Sequence, residues 1–290
     1  MSNQFDKLKI GFIGSGVMGE AMIGGLLAHK TVTPDQIIAS DPLPERGDAL
    51  TKEFGIRSTT RNLEAAQADI LILSIKPQVL DKVLHELHGQ AESVKLVLSI
   101  LAGATIGHIA EGLANPNVVR AMPNTPARIG QGITVWTAAP AVGEAERAQT
   151  QAILRTLGQE VYVDNEDYLD MATALSGTGP AYVFMFMEAM IDAGVHLGFP
   201  RRIAEQLVLQ TVRGSVEYAA ATKEHPAALR NQVTSPGGTT AEALYHLEKG
   251  GLRTVLARAV WAAYQRSMAL GAGKKPKAHV RNPDEMDSDR

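Results

Sequence analysis

The chain changes its pattern once, near residue 165, and that change restricts its architecture more than any single motif does. Before it, short apolar runs alternate with segments of helical period. The runs are KIGFIG (9 to 14), QIIAS (36 to 40), DILILSI (69 to 75), KLVLSIL (95 to 101), NVVRAM (117 to 122), GITVWTA (132 to 138) and EVYVD (160 to 164). Helices are expected between them near 17–29, 44–54, 77–88, 105–113 and 143–157. Several runs are apolar at consecutive positions, as a strand covered on both faces must be. The alternation therefore predicts a parallel sheet flanked by helices, an α/β domain over residues 1–164. Beyond it the β-type runs vanish, and helical patterns follow around 166–175, 180–197, 200–221, 225–232, 238–248 and 252–270. An all-helical domain is expected over 165–272, then a disordered tail over 273–290, where the sequence runs basic and then acidic without apolar period.

Composition narrows the partners. The net charge of -3 over 290 residues gives no basic excess for nucleic acid, and no apolar run reaches membrane-span length. The N-terminus, MSNQFDKLKI, passes directly into a strand-like segment without a signal-peptide core. Zero cysteines exclude disulfide and thiolate chemistry and suit a reducing compartment. A cytoplasmic protein with a small-molecule ligand is expected, without nucleic-acid or membrane partners. The segment AYVFMFMEAMI (181 to 191) is apolar on almost every side, interrupted only by Glu188. Such a helix is buried all round, as the central helix of its domain or partly against a second subunit, so a homo-oligomer is expected.

The chemistry starts at GSGVMG, comprising Gly14, Ser15, Gly16, Val17, Met18 and Gly19, between the strand KIGFI and the helix AMIGGLLAH. Glycines at this spacing permit the tight turn, the close approach of a pyrophosphate and tight helix packing, and the helix N-terminus offers N–H groups to phosphates. A nicotinamide dinucleotide is the expected cofactor. The second strand ends in ASDPLPER, which leaves its identity open. Asp41 at that position would accept from a ribose 2′-hydroxyl, whereas Ser40 and Arg46 would hold a 2′-phosphate. Asp41 would serve equally as a helix cap. Lys76-Pro77, Ala102-Gly103 and Pro123-Asn124-Thr125-Pro126 follow later strands. Turn chemistry alone explains each, but three such loops on the cofactor edge favour nicotinamide contacts.

Metal and nucleophilic chemistry find little support. His85 and His88, with Asp81 one turn earlier, share their helix with Lys82 and Glu86 and read as a solvated face. In the helical half, Gly177, Gly179 and Pro180 of LSGTGPAYVF would let the backbone approach the nicotinamide. In VTSPGGTT, Ser235 and the following glycines can present N–H groups to a carboxylate, with hydroxyls from Thr239 and Thr240; an N-cap plus turn is the alternative.

The set GFIGSGVMGEAMIGGL, SIKP, RAMPNTPA, LSGTGPAYVFMFMEAM and VTSPGGTTAEAL, in this order and spacing, resembles pyrroline-5-carboxylate reductase from about residue 8 to residue 272. The resemblance implies a Rossmann domain followed by a 6-phosphogluconate-dehydrogenase-like helical domain that dimerises, with rings of dimers in some members. It implies NADPH- or NADH-dependent reduction of (S)-1-pyrroline-5-carboxylate to L-proline, the last step of proline biosynthesis. By the same resemblance Gly14 to Gly19 match the pyrophosphate loop, and Ser40 meets the adenosine ribose or its phosphate. Asn62, Ile75, Lys76 and Ala102 match further cofactor positions. Ser235, Gly238 and Thr239 would take the substrate carboxylate, with the Thr240 hydroxyl at the imine nitrogen and Glu166 near the same pocket. Two positions depart from the pattern: Thr178 replaces a common serine, and Asp41 replaces a neutral or basic residue.

Two rivals remain to be compared. A β-hydroxyacid dehydrogenase needs a lysine base on the helix after the second glycine loop, and no lysine occurs from Gly179 to Pro200. A non-catalytic dinucleotide sensor would lack a substrate loop such as SPGGTT.

Overall fold

In the computed structural model, which describes residues 5–271, eight strands form one sheet in the order β3-β2-β1-β4-β5-β6-β7-β8. They are β1 (Ile10–Ile13), β2 (Ile37–Ser40), β3 (Arg57–Thr59), β4 (Ile70–Leu73), β5 (Leu96–Ser99), β6 (Val118–Met122), β7 (Gly132–Ala138) and β8 (Gly158–Tyr162). The four residues of each of β1, β2, β4 and β5 are all buried, which explains their unbroken apolar runs. The sheet carries helices α1 (Val17–Ala28), α2 (Pro44–Phe54), α3 (Asn62–Ala65), α4 (Leu80–Leu87), α5 (Ile106–Leu113) and α6 (Glu144–Arg155). Alternate residues of a strand serve opposite faces. Ile10 and Phe12 join α1, α2 and α6 in one core cluster, and Ile13, Leu71 and Leu73 join α4 and α5 in the other.

Two features differ from the sequence pattern. Strand β3 and helix α3 were not anticipated, because Arg57–Thr59 is an edge strand with no apolar run. Strand β7 runs antiparallel to β6, whereas the rest of the sheet is parallel. Residues 123–131 separate the two strands and hold only a 3-10 turn, Thr125–Ile129, too short a connection for a parallel crossover. Parallel order among β1, β2, β4, β5 and β6 brings the loops after them to one edge of the sheet, where ligands of such sheets bind.

Helices continue as α7 (Asp167–Ala172), α8 (Gly179–His196), α9 (Arg201–Thr222), α10 (Pro226–Gln232), α11 (Thr239–Lys249) and α12 (Leu252–Gly271), with a π-helical turn, Thr173–Gly177, ahead of α8. By contact the chain divides into two units: residues through Gly177 together with those from Ala263, and Thr178–Ala262. Helix α7 thus groups with the sheet, later than the change of pattern near 165. The tail expected to be disordered, 273–290, lies outside the described residues.

Within the helical unit only two hydrophobic residues, Ala204 and Val208, are buried. Helix α8 buries none, and Phe184 and Met185 are 59% and 73% exposed. Of the two readings of 181–191, an enclosed central helix is not what the single chain shows, since α8 packs on α9 without being enclosed. Apolar surface this extensive marks an interaction face.

Candidate active site

The turn from β1 into α1 owes its shape to two glycines. Gly14 has a φ of +88°, and a Cβ there would lie 2.9 Å from the Ser74 carbonyl oxygen and 2.7 Å from Ile75 Cγ2. A Cβ on Gly19 would lie 2.8 Å from the Gly14 carbonyl oxygen. Gly16 is different, because its Cβ would meet nothing within 4 Å. It is the N-cap of α1, and no side chain caps the helix there. The first N–H groups of a helix have no partner inside it. An open glycine in front of such N–H groups fits a pyrophosphate, so the loop passes a structural test for a dinucleotide. Val17 and Met18 supply the first two positions of the helix.

Ser15 joins this loop to the end of β2. Its N–H and Oγ donate to Asp41 Oδ2 at 3.1 and 3.0 Å. Asp41 Oδ1 accepts from the Leu43 N–H at 3.1 Å, so Asp41 caps its own loop while bracing the glycine turn. Arg46 Nε donates to the Ser15 carbonyl oxygen at 2.7 Å, and its Nη2 forms an ion pair with Glu20 on α1. Ser40 is buried, and its Oγ donates to Asn62 Oδ1 at 2.8 Å; Asn62 Nδ2 in turn donates to Glu86. Sequence spacing locates Asp41 and Arg46 but does not reveal that both converge on Ser15.

The remaining edge loops have mixed roles. Ser74 Oγ donates to the Gly14 carbonyl oxygen at 2.6 Å, which places Ile75, and then Lys76 and Pro77, directly beside the glycine turn. Lys76 is exposed, and Ala102 is half-buried after β5. Asn124 uses both ends of its amide structurally: Nδ2 donates to the Ser176 carbonyl oxygen at 3.1 Å, and Oδ1 accepts from the Ile133 N–H at 3.0 Å. RAMPNTP is therefore tied to the turn that precedes α8.

Sequence reasoning missed Arg120, whose side chain is only 2% exposed. It pairs with Glu166 Oε1 at 3.1 Å and Asp170 Oδ1 at 2.9 Å. The same Glu166 oxygen accepts from the Ile106 N–H, and Ser267 Oγ of α12 donates to Asp170. An arginine inside an apolar strand was the available signal, since a buried guanidinium demands acidic partners. Glu166 thereby belongs to the sheet unit, whereas Ser235, Gly238, Thr239 and Thr240 lie together in the helical unit.

In that second loop the Gly238 N–H donates to the Ser235 carbonyl oxygen at 3.0 Å, and Gly237 takes a φ of +68°. A Cβ on Gly238 would sit 2.5 Å from Ser235 Oγ. Gly238 is the N-cap of α11, again without a side-chain cap, and Thr239 and Thr240 open the helix. Ser235 and Thr239 are exposed and Thr240 half-buried. The turn presents N–H groups and hydroxyls together, which suits a carboxylate.

Elsewhere, His85 and His88 lie on the exposed face of α4, as the charge pattern suggests. Asp81 pairs with His108 at 2.8 Å and His88 Nδ1 meets the Gly112 carbonyl oxygen at 2.9 Å, so this face also fastens α4 to α5. Among the described residues no group of three side chains could hold a metal, and no helix is long and apolar enough to cross a membrane.

A glycine turn at the carboxyl edge of a mostly parallel sheet, in a chain whose helical half has almost no core of its own, defines the class: a Rossmann-type, NAD(P)H-dependent oxidoreductase with a helical dimerisation domain. Within that class the chain belongs to the pyrroline-5-carboxylate reductase family. Residues 166–270 match the family described as pyrroline-5-carboxylate reductase dimerisation, and residues 9–103 match NADP oxidoreductase, coenzyme F420-dependent. Pyrroline-5-carboxylate reductase of Synechocystis sp. is 45% identical over 91% of this chain and 98% of its own length. The Escherichia coli enzyme is 42% identical over 90% and 98%. The solved structure of Plasmodium falciparum pyrroline carboxylate reductase with NADP bound superposes with a TM-score of 0.84 at 33% identity, covering 91% of this chain and 98% of that one. The β-hydroxyacid dehydrogenase and sensor alternatives give way to this assignment, and the dimerisation domain makes the chain a homo-oligomer.

Proposed function

We propose that this chain carries out its family's reaction, reduction of (S)-1-pyrroline-5-carboxylate to L-proline by NADPH or NADH, through two helix starts with separate tasks. The α1 start, with Gly14, Ser15, Gly16, Val17, Met18 and Gly19, holds the pyrophosphate. Ser40, Asp41, Arg46 and Asn62 serve the adenosine ribose, and Ile75, Lys76, Pro77, Ala102 and Asn124 line the rest of the dinucleotide. The α11 start holds the substrate, with the carboxylate on Ser235, Gly238 and Thr239 and the Thr240 hydroxyl on the imine nitrogen. Glu166 is assigned to the substrate side, its Oε1 fixed by Arg120 and Ile106.

A reduced nicotinamide, when bound, would supply a hydride to the imine carbon. The protein's own task is alignment and electrostatics, because a protonated imine draws its proton from water and needs no strong acid from the chain. Thr240 keeps the nitrogen oriented and hydrogen-bonded while its charge is lost.

The observation that carries this reading is the uncapped, hydroxyl-bearing turn Ser235–Thr240 in a chain that also has an uncapped glycine turn at its dinucleotide edge. Oxidation of NADH and of NADPH, followed in parallel with pyrroline-5-carboxylate, tests it; turnover with neither sinks it. Thr240→Ala is expected to lower kcat about tenfold, the worth of one hydrogen bond of roughly 1.4 kcal/mol in the transition state. An unchanged kcat would reduce Thr240 to a carboxylate-holding residue. The assembly is proposed to be a homodimer formed through the helical unit, in the cytoplasm, where a cysteine-free chain loses nothing to reducing conditions.

A further inference from the structure

We infer that the end of β2 selects a dinucleotide with a ribose 2′-hydroxyl, and that Glu20 enforces the choice by neutralising the charge that Arg46 would offer to a 2′-phosphate. The inference rests on the dinucleotide placement proposed above and adds which of the two cofactors the site prefers.

Residues at the end of the second strand meet the adenosine ribose, where a carboxylate accepts from the 2′-hydroxyl and an arginine accommodates the 2′-phosphate. Both types are present here, so their existing commitments decide. Arg46 is committed twice, through Nε to the Ser15 carbonyl oxygen at 2.7 Å and through Nη2 to Glu20. Both members of that pair are largely shielded, with side chains 32% and 25% exposed. The N–H groups that remain on the guanidinium could reach a phosphate only with the Glu20 carboxylate still on Nη2, so the incoming anion would meet a neutralised arginine with a second anion beside it.

The other groups on this edge point the same way. A carboxylate accepts about four hydrogen bonds. Asp41 receives three, two on Oδ2 and one on Oδ1, which leaves capacity on Oδ1 for a hydroxyl donor. Ser40 Oγ is buried and donates to Asn62, so it is not offered to a phosphate. Arg61, two residues beyond the strand neighbour of Ser40, lies 3.4 Å from Glu64, which also holds Arg57. Glu45, in the first turn of α2, adds another negative charge. Glu20, Asp41, Glu45 and Glu64 against Arg46, Arg57 and Arg61 leave the ribose end net negative by one, whereas a 2′-phosphate brings about two further negative charges at neutral pH. Glu20 acts through Arg46 and is a positioning residue.

The test is calorimetric titration of the full chain with 5′-AMP and with adenosine 2′,5′-bisphosphate, which needs no turnover, alongside kcat/KM for NADH and NADPH. Wild-type protein is expected to bind 5′-AMP about tenfold more tightly than the bisphosphate and to favour NADH in kcat/KM by a similar factor. Glu20→Gln should raise bisphosphate affinity about tenfold relative to 5′-AMP, and adding Arg46→Gln should cancel that gain. A shift in the ratio of two ligands differing by one phosphate is not produced by a general loss of structure, and matching thermal melts check folding. Tighter binding of the bisphosphate by wild type, or an unchanged ratio in Glu20→Gln, would overturn the inference while leaving the reductase assignment intact. If neither nucleotide binds, the dinucleotide placement falls with it.

Discussion

Gly14 and Gly16 stand two residues apart in one motif, yet they answer to different constraints. Gly14 is required by the fold, through its positive φ and its contact with Ser74 and Ile75, whereas Gly16 is bounded only by open space. Gly14→Ala is therefore expected to destabilise the protein by roughly 1–3 kcal/mol, as strained or overpacked sites do. Gly16→Ala should stay within about 0.5 kcal/mol of wild type while weakening dinucleotide binding. Thermal melts with and without NADH separate the two outcomes: loss of the ligand-induced rise alone for Gly16→Ala, a lower melt in both conditions for Gly14→Ala. The motif was legible because glycine spacing is a local property. The convergence of Asp41 and Arg46 on Ser15 was not, since it depends on side-chain directions across 26 and 31 residues of chain.

At the scale of elements, apolar runs revealed every buried strand and the edge strand β8, but not the edge strand β3. Strand β3 is three residues long and partly exposed, so it lacks the run that betrays a central strand. The reversal of β7 lies in the shortness of its connection rather than in its own residues. Arg120 on β6 shows what periodicity hides: it collects Glu166 and Asp170 of the α7 region, and Ser267 of α12 completes the group. Arg120→Ala would strand two carboxylates and should cost roughly 3–5 kcal/mol, measured as a lower urea midpoint with unchanged slope. Arg120→Met, which fills more of the volume but keeps the same uncompensated acids, should recover only part of that loss. Full recovery would mean that packing, not charge, is what Arg120 contributes.

At the scale of the molecule, the helical unit explains why this chain is a homo-oligomer. With Ala204 and Val208 as its only buried hydrophobic residues, it has no core able to offset the entropy of ordering its helices. Met185→Asp on the open face of α8 is expected to give a monomer in sedimentation velocity, with a lower melting temperature and lost turnover. A dimer of normal activity would place the interface elsewhere. The sequence showed α8 to be apolar all round, but apolarity records only that water is excluded and not which chain excludes it. The change of pattern near 165 likewise marks where strands stop, whereas the contact division falls after Gly177 and is reversed at Ala263. That reversal has a practical meaning for anyone dissecting the protein. Helix α12 ends on the sheet unit, where Ser267 serves Asp170 and Leu270 and Gly271 close against Gly103. The nucleotide-binding half is thus discontinuous in the gene, so a stop codon after Gly177 would yield a fragment lacking its own last turns, and a fragment with all of them needs an engineered splice.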